Sequence, residues 1–231
     1  LYKIFYYNST KMLTVSKGLQ KEIFRFKKKN LITIYNPVTT LKFIQKPKPK
    51  IKDRKPIVLG CGRLENQKGF ERLIKACAIV KKKYNIKFTI NIIGDGSLKE
   101  KLIALAKAEN VDSILKIIPF SSKIFQYYEF SKVFVLSSYY EGFGNVLAEA
   151  MIANCYCISF DINHGPKEIL NNGKLGVLVR DDDIITLSKE IYYGLKSQKN
   201  YYKNKNSLLS QSKVFTIDNF RFEFEKIEFD S

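Results

Sequence analysis

Apolar residues recur with two different periods along most of the chain. Short runs of apolar, largely β-branched or aromatic residues predict six buried strands, at residues 57–61, 88–93, 114–118, 133–136, 156–160 and 176–179. The segments between and after them carry apolar residues three or four positions apart, which predicts helices at residues 69–84, 97–109, 122–130, 144–152, 166–170 and 183–195. Strands that alternate with helices of these lengths form βαβ units. The pattern therefore predicts an α/β fold in which helices cover both faces of a parallel sheet.

The two ends of the chain have a different pattern. Before the first of these strands the chain predicts, in order, the end of a helix, a short strand, a basic helix and a second strand, at residues 1–12, 12–15, 17–28 and 31–35. Ser16 opens the basic helix, and Pro37 ends the second strand because it restricts the residue before it. Residues 39–56 are rich in lysine and proline, which predicts an exposed linker and the main domain boundary. Residues 201–229 predict one or two further helices.

The composition limits the class of protein. At 231 residues the chain has the length of one domain plus part of another, and its first residue, Leu1, indicates a piece of a longer protein. Hydrophobic residues make up 45%, which suffices for a packed core, and no apolar run reaches the roughly 18 residues of a membrane span. Cys61, Cys77, Cys155 and Cys157 lack metal-ligand spacing and lie in apolar segments. We therefore expect reduced, buried thiols in a cytoplasmic protein.

The chain is strongly basic, with a net charge of +18 and a pI near 9.6. Such a charge attracts nucleic acid, an anionic membrane surface or a polyphosphate substrate. The alternative is a compositional bias, because lysine, asparagine, isoleucine, phenylalanine and tyrosine are all heavily used. The basic residues are dispersed and no RNA-binding aromatic motif accompanies them. We therefore expect no nucleic-acid partner, while an anionic membrane surface stays open.

Two glycines and a carboxylate separate the fourth predicted strand from the helix that follows it. Glu141, Gly142 and Gly144 lie in this loop, and Glu149 lies in the first turns of the helix. A glycine-bearing turn at a helix N-terminus presents free backbone N–H groups and the positive end of the helix dipole to an anion. We therefore predict that residues 142–145 hold a phosphate-bearing ligand, with Glu149 near its sugar hydroxyls. An ordinary turn with solvated glutamates is the alternative.

A second candidate loop follows the first predicted strand. Gly62 allows a tight turn, and Arg63 and Lys68 place two cations before a helix that begins at Gly69. A guanidinium and an ammonium that converge suit a diphosphate, whereas exposed cations of a basic surface are the alternative. The loop has the glycine spacing of neither a P-loop nor a dinucleotide fingerprint. Both candidate loops follow strands of a parallel sheet, where ligands bind.

Other polar or aromatic residues near strand ends have ordinary structural explanations. Asp95, between two glycines, is expected to cap the next helix. Phe120 is either an apolar surface on which a flat base could lie or part of an ordinary strand end. We expect His164, the only histidine, to be structural. The three aspartates at residues 181–183 are expected to form an N-cap and a solvated turn rather than a metal site.

Three motifs occur in an order and at intervals that resemble one enzyme family. They are Gly62-Arg63-Leu64 with Gln67-Lys68-Gly69-Phe70, then Ile93-Gly94-Asp95-Gly96, then Glu141-Gly142-Phe143-Gly144-Asn145-Val146-Leu147-Ala148-Glu149. Together they resemble the donor domain of a retaining glycosyltransferase of family 4, which has the GT-B fold of two Rossmann-like domains. The resemblance covers residues 12–195. It implies an end of an N-terminal acceptor domain, a linker, a nucleotide-sugar donor domain and helices that cross back, at residues 1–38, 39–56, 57–200 and 201–231.

The resemblance also implies a role for each site residue. Arg63 and Lys68 would neutralise the nucleotide diphosphate. Glu149 would bind the ribose hydroxyls, and Glu141 would face the donor sugar. Backbone N–H groups of residues 142–145 would hold sugar and phosphate, with the base near residues 118–120. The implied donor-binding residues are Gly62, Arg63, Lys68, Phe120, Glu141, Gly142, Phe143, Gly144, Asn145, Val146 and Glu149, and the catalytic ones are Arg63, Lys68 and Glu141.

The resemblance thus predicts a retaining glycosyltransferase. It would transfer a sugar from a nucleotide-sugar, UDP-linked by preference, to a glycan or lipid-linked saccharide in cell-surface polysaccharide or glycoconjugate synthesis. In this family the departing phosphate oxygen takes the acceptor's proton, so no protein nucleophile, cofactor or metal is expected. Residues 165–169 resemble a loop of members that handle hexosamines, which favours an N-acetylhexosamine. The expected location is cytoplasmic, with the inner face of the cell membrane as a candidate place.

Two alternatives stay open. An epimerase of the GT-B fold acting on a UDP-sugar would need site acids and histidines that the sequence does not offer. A basic module that binds nucleic acid or membrane would need no donor site. Because the acceptor groups would lie in the N-terminal domain, we expect residues 1–231 alone to bind nucleotide but to transfer little sugar.

Overall fold

A six-stranded parallel sheet forms the centre of the molecule. The computed structural model describes residues 11–25, 30–197 and 205–227. Its strands are Met12–Thr14 (β1), Leu31–Thr33 (β2), Lys55–Cys61 (β3), Thr89–Ile93 (β4), Leu115–Ile118 (β5), Ser131–Leu136 (β6), Tyr156–Phe160 (β7) and Val177–Val179 (β8). The central sheet has the order β5-β4-β3-β6-β7-β8, with every neighbouring pair parallel. The six predicted strands and the α/β fold class are confirmed.

Helices cover both faces of this sheet. They are Lys17–Phe24 (α1), Leu41–Gln45 (α2), Phe70–Lys83 (α3), Lys99–Ala108 (α4), Ile124–Phe130 (α5), Asn145–Ile152 (α6), Pro166–Ile169 (α7), Ile184–Lys196 (α8), Lys205–Val214 (α9) and Ile217–Glu225 (α10). Side chains alternate across a strand, so Val58 joins a core beneath α3, α4 and α8 while Leu59 joins a second core beneath α5 and α6. Burial on both faces explains why the strands are apolar throughout.

The N-terminal segment is a separate βαβ unit. β1 pairs in parallel with β2, and α1 connects them. Ser16 caps α1 as predicted, its hydroxyl accepting a hydrogen bond from the Leu19 N–H at 3.1 Å. Of the predicted helix over 17–28, the part to Phe24 is confirmed, and residues 26–29 lie outside the described residues. The helix predicted within residues 1–12 also lies almost wholly outside them.

The segment between β2 and β3 is more ordered than a linker. It contains α2, and Ile51 and Arg54 within it are 1% and 3% exposed. The Arg54 guanidinium donates to the carbonyl oxygens of Tyr128, Ser131 and Ala153 at 3.0, 3.1 and 2.6 Å. The prediction of an exposed segment at 39–56 was therefore wrong at these positions, because its basic residues include one that binds carbonyls at the ends of α5 and α6. The division into domains stays a prediction.

The two C-terminal helices return to the segment after β2. A bridge joins Thr39 to Thr216, and the Val38 N–H donates to the Phe215 carbonyl at 2.9 Å. Phe215 is fully buried and packs edge-on against Tyr35. The prediction of one or two helices in this region is confirmed for residues 205–227; residues 201–204 and 228–231 are outside the described part. In the described residues no helix is long and apolar enough to cross a membrane.

Candidate functional site

The chain order of the sheet reverses between β3 and β6. From β3 the chain moves outward to β4 and β5, then returns to β6 on the other side of β3. At such a reversal the loops that leave the carboxyl ends of the two strands diverge and form a crevice, where open α/β sheets bind ligands. These loops are residues 62–69 and 137–144. They hold most of the predicted site residues.

Lys68 and Glu141 join the two loops directly. The Lys68 Nζ lies 2.6 Å from Glu141 Oε1, and the side chains are only 14% and 8% exposed. The Ser138 hydroxyl donates to the same oxygen at 2.7 Å. The two predicted site residues therefore lie together, and they form an ion pair with each other. Since an ammonium carries three donors, Lys68 can also bind a phosphate beside Glu141.

Gln67 makes a second connection across the crevice. Its Nε2 donates to the Tyr140 carbonyl at 3.0 Å, and its Oε1 accepts from Arg63 Nη2 at 3.3 Å. The Ser137 hydroxyl adds a third connection, to the Lys68 carbonyl at 2.8 Å. Arg63 itself is exposed. One predicted cation thus lies at the solvent side of the loop and the other is largely buried.

Arg72, in the first turn of α3, holds the loop after β6. Arg72 is 2% exposed, and its guanidinium donates to the carbonyl oxygens of Ser137 and Ser138, from Nη2 at 2.5 and 2.6 Å. The rings of Tyr139 and Phe160 lie 3.9 and 4.0 Å from its central carbon. Arg72 was not predicted as a site residue, because a charged residue on an amphipathic helix ordinarily faces solvent.

Glu149 is held in place by a buried tyrosine. Its Oε2 accepts a hydrogen bond from the Tyr128 hydroxyl at 2.8 Å, and Tyr128 is fully buried on α5. Burial raises the pKa of the Glu149 carboxyl, and the Tyr128 hydrogen bond opposes that rise. At the end of β3, burial raises the pKa of the Cys61 thiol to about 11, and both Glu149 and Lys68 act on it electrostatically. The carboxylate and the ammonium therefore lie near the same strand end.

The loop that begins α6 presents its backbone rather than its side chains. Phe143 is 2% exposed, and its ring packs against Tyr35 and Phe215. Val146 is half-buried. Within the described ranges no group accepts a hydrogen bond from the backbone N–H groups of residues 142–146, which include the predicted range 142–145. Free donors at a helix N-terminus are what an anion requires, so the geometry suits the predicted role, which itself stays a prediction.

The N-terminal segment packs against this loop. The Ser16 hydroxyl donates to the Gly142 carbonyl at 2.8 Å, and Asn36 Nδ2 donates to Asn145 Oδ1 at 3.0 Å. Ser16 is fully buried. The loop is therefore tied to a second part of the chain, which restricts its backbone before a ligand arrives.

Glu168, in the short helix α7, binds the N-terminus of α1. Its carboxylate oxygens accept from the backbone N–H groups of Lys17 and Gly18, both at 2.8 Å, and from the Tyr35 hydroxyl at 2.9 Å. A carboxylate at a helix N-terminus satisfies donors that the helix leaves free and is favoured by the helix dipole. The segment 165–169 thus docks the N-terminal unit onto the sheet domain. Sequence reasoning missed this role because the partners are about 150 residues apart in the chain.

The loops after β4 and β5 are tied together by Asp95. Its Oδ2 accepts from the Phe120 N–H at 2.9 Å, while α4 has Leu98 as its N-cap and no side-chain cap. The prediction that Asp95 caps this helix was wrong. Gly94 has φ 150°, and a Cβ there would lie 1.9 Å from the Gly62 carbonyl oxygen, so only glycine fits this approach of two loops. The Phe120 side chain is 71% exposed and open to a ligand.

The remaining polar candidates have structural contacts. His164 Nε2 lies 2.6 Å from Glu22 Oε2 on α1. Asp183 caps α8 as predicted, accepting from the N–H three residues on at 2.9 Å, and Asp181 pairs with the buried Arg72 at 2.8 Å. Among the residues described, no three His, Cys, Asp or Glu side chains lie together so as to hold a metal ion. All four cysteines are buried and none forms a disulfide within the described residues, which confirms their predicted burial.

Comparison with solved structures identifies the fold. Sucrose-phosphate synthase from Thermosynechococcus elongatus matches with a TM-score of 0.80 and 21% identity, over 97% of this chain and 59% of that one. A mutant of Staphylococcus aureus TarM, in complex with fondaparinux, alpha-GlcNAc-glycerol and UDP, matches with a TM-score of 0.78 and 23% identity, over 93% and 43%. The fold is that of the GT-B glycosyltransferases, as predicted.

Sequence comparison then shows the family. The family model "Glycosyl transferases group 1" matches residues 42–209, so the chain belongs to this family. An uncharacterized glycosyltransferase of Haemophilus influenzae is 30% identical over 190 residues, covering 81% of this chain and 52% of that protein. The Campylobacter jejuni N-acetylgalactosamine-N,N'-diacetylbacillosaminyl-diphospho-undecaprenol 4-alpha-N-acetylgalactosaminyltransferase is 27% identical over 218 residues, covering 93% and 59%. The chain thus spans little more than half the length of these relatives.

Proposed function

We propose that the protein to which this chain belongs transfers a sugar from a UDP-sugar to a glycan or lipid-linked acceptor, with retention at the anomeric carbon. The observation that carries the proposal is the approach of Lys68, Glu141 and Glu149 to the carboxyl ends of β3 and β6. The Lys68 ammonium suits a diphosphate. The Glu141 carboxylate paired with it suits a sugar, and the half-buried Glu149 carboxylate suits a ribose. Membership of the glycosyl transferases group 1 family supports the reaction class.

The proposed reaction exchanges one bond at the anomeric carbon for another on the same face. The bond from this carbon to the diphosphate oxygen breaks, and a bond to the acceptor oxygen forms. The acceptor's proton passes to the departing phosphate oxygen, which leaves UDP and requires no protein nucleophile. Negative charge grows on the diphosphate in the transition state. Lys68, Arg63 and the N–H groups of residues 143–146 would oppose that charge from fixed positions, which is the most effective form of electrostatic catalysis.

Glu141 and Glu149 would bind hydroxyl groups of the donor and would not take part in proton transfer. Glu141 would accept from the donor sugar, and its pairing with Lys68 at 2.6 Å allows a carboxylate to lie beside a diphosphate without net repulsion. Glu149 would accept from the ribose. Phe120, exposed at the end of the β5 loop, would contact the base. No metal or cofactor enters this proposal.

The names of the relatives support the choice of donor and acceptor classes. The Campylobacter protein is named for an N-acetylgalactosaminyl group and a diphospho-undecaprenol acceptor. A Staphylococcus aureus relative, 30% identical over 144 residues, is named poly(ribitol-phosphate) alpha-N-acetylglucosaminyltransferase. We therefore favour an N-acetylhexosamine and an acceptor on a lipid or a polymer. A net charge of +18 would favour the anionic membrane surface at which lipid-linked acceptors lie.

Calorimetric titration of the full chain with UDP, GDP and several UDP-sugars tests the donor assignment. We expect UDP to bind more tightly than GDP, and Glu149→Ala to weaken UDP binding at least tenfold, since a charged hydrogen bond to a ligand contributes on the order of 1.5–3 kcal/mol. Glu190→Ala on α8, on the opposite face of the sheet, is the control and should bind as the parent does. Equal UDP binding by Glu149→Ala and the parent would contradict the ribose assignment. Binding of anionic vesicles or RNA without any UDP binding would favour the basic binding module instead.

A further inference from the structure

Tyr128 places a hydroxyl group where the core is otherwise apolar. The residue is fully buried, and its ring lies edge-on to Phe125 and Phe134 with centroids 5.8 and 5.6 Å apart. A phenylalanine of the same shape would fill this space and bring no polar group to desolvate. The hydroxyl instead donates to Glu149 Oε2 at 2.8 Å. Its function is therefore to be sought at Glu149.

The hydrogen bond fixes one half of the Glu149 carboxylate and leaves the other half available. In the described part of the chain, the Tyr128 hydroxyl is the one group that donates a hydrogen bond to this carboxylate. A tyrosine has two side-chain torsions that packing can lock, so a buried tyrosine holds its hydroxyl in a fixed place. Oε1 has no such donor and can accept from a ligand. A glutamate without this contact would sample several rotamers.

We propose that Tyr128 is a positioning residue of the nucleotide site, which holds Glu149 by one carboxylate oxygen so that the other accepts from the ribose hydroxyls. The inference rests on the proposed function, in which Glu149 is the ribose-binding residue. Tyr128 does not touch the ligand. It acts through Glu149, from α5 to α6.

The surroundings of the contact also give the hydroxyl an electrostatic effect. The groups that face it are Glu149 from α6 and the Cys61 thiol from β3, with Lys68 acting on that thiol from the loop beyond. Burial raises the pKa of Glu149, and the hydrogen bond from Tyr128 lowers it. Loss of the hydroxyl should therefore raise the pKa of Glu149 further, because only the ionised carboxylate gains from the donor.

The direct test is Tyr128→Phe, measured by calorimetric titration of the full chain with UDP. We expect UDP affinity to fall about tenfold, as for loss of one hydrogen bond to a charged group. The matched control is Tyr127→Phe on the same helix, whose hydroxyl has no partner among the described residues and whose removal should leave the affinity unchanged. Equal affinities of Tyr128→Phe and the parent would overturn the proposal.

A modified ligand separates positioning from general damage. With 2′,3′-dideoxy-UDP, which has no ribose hydroxyls for Glu149, the parent and Tyr128→Phe should bind equally. A merely structural role for Tyr128 would weaken both ligands by the same factor, and that result would contradict the inference. Thermal unfolding of both tyrosine variants shows whether they are folded under the conditions of the titration.

The pH dependence of UDP binding provides a second readout. Ribose binding requires ionised Glu149, so affinity is present above the pKa of that carboxyl and is lost as the pH falls through it. In Tyr128→Phe the loss should begin at a higher pH than in the parent, whereas Tyr127→Phe should follow the parent. A profile lowered equally at every pH would contradict the proposal.

The outcomes separate this inference from the function on which it rests. If Glu149→Ala weakens UDP binding and Tyr128→Phe does not, the positioning role is wrong and the ribose assignment stands. If neither variant weakens it, the ribose assignment itself is wrong. If both weaken UDP and spare the dideoxy ligand, both ideas are supported.

Discussion

The ion pair between Lys68 and Glu141 is unusual in how little solvent reaches it. Among the described ion pairs it is the one in which both side chains are less than 15% exposed. A pair of this kind adds little net stability, but removal of one partner leaves a desolvated charge. The same two residues would therefore bear on both the proposed ligand binding and the stability of the loops around the crevice.

Lys68→Ala should accordingly cost about 3 kcal/mol of unfolding free energy, the lower end for a broken buried pair. Urea unfolding measures this loss. The matched control is Lys167→Ala, which removes the partner of Asp161 from a pair that is 60% and 30% exposed and should cost less than about 1 kcal/mol. If both substitutions lower the unfolding free energy by the same small amount, Glu141 in Lys68→Ala is solvated or paired with another group. The Lys68–Glu141 pair would then not connect the loops structurally.

For single residues, the sequence indicated which side chains form hydrogen bonds better than it indicated the partners of those bonds. Asp183 was predicted to cap α8 and does so, because the N–H that it binds is three residues away. Asp95 was assigned to a local cap, yet it binds the Phe120 N–H, 25 residues away. The contact of Tyr128 with Glu149 is likewise made only when α5 and α6 pack together. Local spacing predicts local hydrogen bonds, whereas these others depend on the tertiary fold.

The loops around the crevice approach each other more closely than side chains allow. Gly165, before α7, has φ 91°, and a Cβ there would lie 1.6 Å from the Phe143 carbonyl oxygen. The loop after β7 therefore touches the backbone that begins α6. The position of the free N–H groups at residues 143–146 depends on this contact between two loops.

Gly165→Ala should displace the loop at Phe143, lower UDP affinity more than tenfold and cost more than about 3 kcal/mol in unfolding free energy. Gly173→Ala is a matched control, since Gly173 also has a positive φ, 84°, but the nearest atom to its Cβ would be 3.9 Å away. The control carries only the backbone strain, about 1 kcal/mol. Urea unfolding and UDP titration of both variants measure the difference. Similar losses in the two would show that strain, not the close approach, governs this loop.

Element predictions succeeded where burial is uniform and failed where it is not. The six strands are apolar because helices cover both faces, and that pattern is visible in the sequence. The segment 39–56 was predicted to be exposed from its lysine and proline content. Its lysines are mostly exposed, but Arg54 is buried against three carbonyl oxygens. Arg54 is the one arginine among the lysines of this segment, but its residue type alone does not indicate that it is buried.

The whole molecule has a concave surface besides the proposed site. A cleft of about 530 Å³ lies between α2, the end of α6 and α9, and its lining includes Lys48, Lys50 and Lys205. It lies at the amino ends of the strands, since Lys50 and Asn154 precede β3 and β7. The proposed site lies at their carboxyl ends. A net charge of +18 attracts anions to both, so charge alone does not locate the site.

Hydrogen–deuterium exchange of the full chain with and without saturating UDP tests whether the nucleotide binds between the loops after β3 and β6, because it locates the ligand on the sheet. We expect UDP to slow the exchange of amides in residues 62–68 and 142–149, and to leave those of α2 and α9 around the other cleft unchanged. Such a result would place the nucleotide between the loops after β3 and β6. Protection confined to the cleft at the amino ends of the strands, or no protection in either loop, would contradict the proposed nucleotide site.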